Sequence, residues 1–126
     1  MTEKIATLIV DDYDYFRKIL SEYLLGIDFI SVIGETKNGT EAVVAVEKLK
    51  PRLIIMDTGV PTMDGVLAYD IIKTRNPDIK IIFCNMYEIN PFGSSGLGKS
   101  EICISKDRLF EELPPVIEQV KKEMGL

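Results

Sequence analysis

Blocks of apolar positions with two different periods alternate along this chain. Ile5 to Val10 is a nearly continuous apolar run, as a buried strand requires. Phe16, Ile19, Leu20, Tyr23 and Leu24 then recur at i, i+3, i+4, i+7, i+8, one face of a helix that Gly26 would end. Phe29 to Ile33 predicts a second strand. Asn38, followed three positions on by Glu41, predicts the capped start of a second helix with Ala42, Ala45, Val46 and Leu49 on its inner face and Pro51 beyond its end. Leu53 to Met56 predicts the third strand. A third helix carries Leu67, Ala68, Ile71 and Ile72 and closes near Asn76-Pro77. Ile79 to Cys84 and Ile102 to Ile104 predict strands four and five. The last helix is expected from Pro114 or Pro115, because proline suits a first turn, with Val116, Ile117, Val120 and Met124 buried.

The strands are apolar runs rather than alternating ones. A sheet covered on both faces is implied, hence parallel, α/β and doubly wound. The rhythm breaks between Met86 and Ser100. A helix is due there, but Pro91, Gly93, Gly96 and Gly98 predict one shortened or replaced by a loop. No linker or repeat interrupts the chain, so a single domain over 1–126 is expected.

Composition narrows the function. The chain has 126 residues, 46% hydrophobic and 28% charged, which are globular values with room for a core. A net charge of −5 argues against direct nucleic-acid binding, since no basic excess exists to neutralise phosphates. No apolar run approaches the roughly 20 residues that span a bilayer, and no export signal opens the chain. Cys84 and Cys103 both lie in apolar runs and predict buried, reduced thiols in a cytoplasmic protein. With no histidine anywhere, His-based catalysis and His metal sites are excluded.

The candidate chemistry is acidic. Asp11 and Asp12 follow the first strand and Asp57 follows the third. Strand carboxyl ends in a parallel sheet line up at one edge, where ligands bind. Carboxylates gathered there repel one another unless a cation sits among them, which points to a divalent metal and a phosphoryl group. Asp14 and Asp64 read as helix-start residues, and Phe16 as core. Tyr13 or Tyr15 would border the pocket.

Leu8-Ile9-Val10-Asp11-Asp12, Ile54-Ile55-Met56-Asp57, Pro61-Thr62-Met63-Asp64-Gly65 and Ile104-Ser105-Lys106-Asp107 together resemble a response-regulator receiver domain of two-component signalling. The likeness covers nearly the whole chain. It implies a five-stranded sheet of order 2-1-3-4-5. It implies a phosphoacceptor signalling domain rather than an enzyme, though one that assists its own phosphorylation and dephosphorylation. Asp57 would be the nucleophile that becomes an acyl phosphate. Asp11, Asp12, Asp57 and the backbone carbonyl of Gly59 would hold Mg²⁺. Lys106 would contact a phosphoryl oxygen or Asp57. A histidine kinase or phosphotransfer protein would be the donor, and output would run through contacts with another protein or a phosphorylation-dependent dimer.

Two positions depart from the resembled pattern. The family's usual Ser or Thr at the end of strand four is Asn85, whose amide still donates a hydrogen bond. The usual aromatic residue three positions before the lysine is Cys103. A degenerate receiver acting without phosphate is the alternative reading. Gly93 to Ser100 also satisfies G-x-x-x-x-G-K-[ST], but a strand follows where the phosphate-loop mechanism needs a helix.

Overall fold

The computed structural model describes residues 3–57, 65–86 and 102–126. Five strands form one sheet: β1 (Ile5–Val10), β2 (Ile30–Thr36), β3 (Leu53–Met56), β4 (Lys80–Asn85) and β5 (Ile102–Ser105). Their order is β2-β1-β3-β4-β5, and every neighbouring pair is parallel. Three described helices connect successive strands, α1 (Asp14–Leu25), α2 (Gly39–Leu49) and α3 (Gly65–Arg75), and α4 (Leu109–Glu123) follows β5.

The alternation of side chains along each strand explains the layering. Ile5 and Ile9 of β1, Leu53 and Ile55 of β3, and Ile82 and Cys84 of β4 face one way, onto α1 and α4. Leu8 and Val10, Ile54 and Met56, and Ile81 and Phe83 face the other, onto α2 and α3. The apolar runs are continuous because both faces are covered, as expected of a doubly wound sheet. Thr7, fully buried, satisfies its hydroxyl by donating to the Ile5 carbonyl at 3.0 Å.

Helix ends follow their local chemistry. The Asn38 side chain accepts from the Glu41 N–H at 2.8 Å, and the Glu41 carboxylate accepts from the Lys37 N–H at 3.2 Å. Lys50 takes the left-handed conformation (φ 51°) that terminates α2 just before Pro51.

Three expectations need correction. β2 runs to Thr36 rather than Ile33. The β1–β2 register slips between Thr7 and Leu8, which leaves Ile33 without a β1 partner. Such a bulge swaps the faces beyond it and breaks the hydrophobic pattern. α4 starts at Leu109, not at the prolines, which lie inside it. A short 3-10 turn over Lys106–Arg108 leads directly into it, and the carbonyls that the prolines leave without an N–H partner are those of Phe110 and Glu111, both exposed residues. Its buried stripe accordingly begins with Leu109 and Leu113, ahead of Ile117 and Val120. Cys103 is exposed rather than buried. It pairs in register with Phe83 and Cys84 with Ile104, so the two thiols leave opposite faces of the sheet and cannot join. The expected break between β4 and β5 falls on residues 87–101, outside the described residues.

Leu113 is fully buried in the α1/α4 core. Leu113→Ala is therefore expected to lower unfolding stability by about 2–5 kcal/mol, read from urea denaturation. A loss below about 1 kcal/mol would contradict the placement of α4.

Candidate functional site

The carboxyl ends of β1 and β3 are adjacent, with Val10 in register with Met56. Each strand therefore delivers its following aspartate to the same edge. The Asp57 N–H donates to the Val10 carbonyl at 2.9 Å, and the Asp11 N–H donates to the Thr36 carbonyl at 3.1 Å. These bonds continue the ladders one step and fix both backbones.

Between the two carboxylates stands Lys106, from the turn after β5. Its Nζ lies 2.7 Å from Asp11 Oδ2 and 2.7 Å from Asp57 Oδ2. The three side chains are only 3%, 16% and 7% exposed for Asp11, Asp57 and Lys106 respectively, so the contacts are shielded from water. The ammonium also sits 4.5 Å from the centroid of the Phe16 ring. The turn that carries Lys106 is tied down twice. The Ser105 hydroxyl accepts from the Asp107 N–H at 3.3 Å, and Glu112 accepts from the Ser105 N–H at 3.4 Å.

Burial pushes the Asp11 carboxyl above its ordinary range and the Asp57 charge adds to this, outweighing the Lys106 ammonium and the Tyr13 N–H, which donates to Asp11 Oδ1 at 2.9 Å. For Lys106, burial acts to lower the ammonium's pKa. Hydrogen bonds to Asp11 and Asp57 outweigh it, and the group is held above its usual range.

The first turn of α1 braces this edge. Arg17 is 9% exposed; its Nη1 donates to the Asp11 carbonyl at 2.6 Å, and it pairs with Asp14 and, at 3.6 Å, with Glu35. The Arg17 contact holds the Asp14 carboxyl below its usual range. Sequence reading passed over Arg17, although a signal existed. It falls on the same helix face as Leu20 and Leu24, where a charge needs a reason.

Other candidates are distributed as follows. Asp12 follows Asp11 in the chain and is exposed. Asn85 is buried at the end of β4, in register with Ser105. Asp14 opens α1 as expected. Tyr13 and Tyr15 are exposed just past the acidic pair. Gly59, Asp64 and the stretch from Gly93 to Ser100 lie outside the described residues. Among the described residues no three His, Cys, Asp or Glu side chains group as metal ligands. Among the described residues, the carboxylates brought together at this edge are those of Asp11 and Asp57, with Asp12 next in the chain. No described helix is long and apolar enough to cross a membrane.

The two thiols should differ sharply in reactivity. Burial pushes the Cys84 thiol up to about 12, whereas Cys103 is exposed. Iodoacetamide at neutral pH is expected to modify Cys103 in the folded chain and Cys84 only after unfolding, as mapped by peptide mass. Equal rates in the folded chain would contradict the arrangement.

Residues 7–113 match the response regulator receiver domain family. The chain is 43% identical over 82 residues to the protein-glutamate methylesterase/protein-glutamine glutaminase of Methanococcoides burtonii, covering 65% of this chain and 23% of that protein. It is 40% identical over 83 residues to the response regulator protein VraR of Staphylococcus saprophyticus, covering 66% of this chain and 40% of that one. The chain thus spans less than half the length of these curated relatives. In fold it is similar to the signal receiver domain of NarL from Mycobacterium tuberculosis, with a TM-score of 0.81 and 19% identity over 95% of this chain and 98% of that one.

Proposed function

This chain belongs to the response regulator receiver domain family, and on that footing we propose that it is a phosphoacceptor whose nucleophile is Asp57. The observation that carries this reading is the Lys106 ammonium held 2.7 Å from both Asp57 and Asp11. A shielded lysine bridging two strand-end carboxylates is an electrostatic device for binding an anion at one of them.

The donor would be a phosphohistidine of a histidine kinase or phosphotransfer protein. An Asp57 carboxylate oxygen attacks phosphorus. The new O–P bond forms as the donor's N–P bond breaks, and the electron pair of that bond leaves with the imidazole. The backbone bond to Val10 keeps Asp57 at the strand end during transfer. Lys106 turns from the carboxylates toward the phosphoryl oxygens, where its charge is needed most. Asn85, at the neighbouring strand end, supplies an amide donor where the family's hydroxyl usually stands.

Mg²⁺ fits the residues present. It takes hard oxygens, needs only one or two carboxylates and keeps several waters. Asp11 and Asp57 already hold one cation, the lysine ammonium, and Asp12 follows Asp11 in the chain and is exposed. When bound, Mg²⁺ would offset charge on the phosphoryl oxygens. Signalling would then run through protein contacts of the phosphorylated domain.

The test is incubation with a small phosphodonor such as an acyl phosphate and Mg²⁺, followed by intact mass. Gain of a single phosphoryl group is expected. No gain at any Mg²⁺ concentration would favour the degenerate, phosphorylation-independent module.

A further inference from the structure

We infer that Phe16 is a positioning residue: its ring face holds the Lys106 ammonium over the gap between Asp11 and Asp57. The inference rests on the phosphoacceptor reading for its functional meaning, but its geometry stands alone. A lysine stem has four rotatable bonds, so an ammonium is poorly placed unless its surroundings fix it. Two sides of this one are taken by carboxylates at 2.7 Å. The Phe16 ring stands at 4.5 Å from it, within the range at which a cation is drawn to an aromatic face. An aliphatic side chain of similar bulk would present an apolar wall there, with no attraction to offset burial of the charge.

The ring is itself well anchored. Phe16 is 8% exposed and belongs to the core cluster that includes Leu20, Ile104 and Leu109. Its helical neighbour Arg17 donates to the Asp11 carbonyl at 2.6 Å. The first turn of α1 is thereby registered against Asp11, and the ring against the site. Lys106 is 7% exposed, so the attraction is little weakened by water. Filling the core explains the ring's burial. It does not explain why the ammonium lies at the ring as well as between the carboxylates.

The experiment compares the full chain with Phe16→Leu, Phe16→Tyr, Lys106→Met and the double variant Phe16→Leu/Lys106→Met. Asp57 phosphorylation is followed with a small acyl phosphate at saturating Mg²⁺, well below each variant's unfolding midpoint. Phe16→Leu should slow phosphorylation about three- to tenfold, while Phe16→Tyr, which keeps the ring face, should stay within about twofold. In the Lys106→Met background, Phe16→Leu should have no further effect, because the contact it removes is already gone. The same loss in both backgrounds would reduce Phe16 to a core residue and overturn the inference, as would a wild-type rate in Phe16→Leu.

A second readout needs no phosphorylation. The Lys106 ε-methylene protons should be shifted upfield by the ring in the native chain and return toward free-lysine values in Phe16→Leu. Unshifted protons in the native chain would sink the positioning role even with Asp57 labelling intact. Shifted protons in a chain that never takes up phosphoryl would support the positioning and overturn the phosphoacceptor reading instead.

Discussion

Asp57→Asn is expected to take up no phosphoryl group from a small phosphodonor, while folding as the parent does. The substitution is nearly isosteric and removes the nucleophilic carboxylate oxygen that an acyl phosphate requires. The backbone bond from residue 57 to Val10 is untouched, and the amide oxygen can still accept from Lys106. Lys106 also keeps Asp11 at 2.7 Å, so the ammonium retains a charged partner. Intact mass with and without Mg²⁺ reads the outcome, and the thermal midpoint checks the fold. A single phosphoryl group on the variant, mapped to Asp11 or Asp12, would move the acceptor to the other strand end and overturn the assignment.

Lys106→Met should have two separable effects. The first is on chemistry. Removing one preorganised positive donor from a shielded anion site typically slows the step on the order of 10²–10³-fold. The second is on stability. Asp11 and Asp57 would lose the cation between them, and breaking a buried pair from one side costs about 3 kcal/mol or more. Mg²⁺ should restore much of this, because a ligand that binds only the folded state stabilises it by mass action. No ammonium would then compete for the two carboxylates. The rise in thermal midpoint on adding Mg²⁺ is therefore expected to be larger for Lys106→Met than for the parent, while its phosphorylation stays slow. Equal midpoint rises would mean that the metal and the lysine do not share these carboxylates. A parental phosphorylation rate would remove Lys106 from the mechanism.

The two positions that depart from the resembled pattern have different structural settings. Asn85 is buried at its strand end, level with Ser105. Cys103 is exposed on the opposite face from Cys84. The apolar run Ile102 to Ile104 predicts burial, Cys103 included, yet among the described strands β5 lies at the edge of the sheet, beside β4. Burial at an edge depends on what packs beside it, and that is not written into the run itself.

Much of this protein is legible in local patterns. Apolar runs mark all five strands, Asn38 and Glu41 mark the start of α2, and both strand-end aspartates follow directly from where β1 and β3 end. Local backbone chemistry and the periods of strand and helix are enough for these, because each depends on residues close in the chain. The bulge at Ile33 and the prolines inside α4 were hidden. A slip in strand pairing and a helix that continues from a preceding turn are settled by neighbours in space. The site shows the same division. That Asp11 and Asp57 share one edge is legible from the strand ends, and the resemblance to receiver domains implies Lys106 beside them. Only the tertiary structure set the ammonium between the two carboxylates, brought the Phe16 ring against it and tied Arg17 to the Asp11 carbonyl. Those contacts join the ends of β1, β3 and β5 with the first turn of α1. Charge and aromatic attraction act over a few ångströms, so their effect is decided by where the folded sheet brings distant residues together.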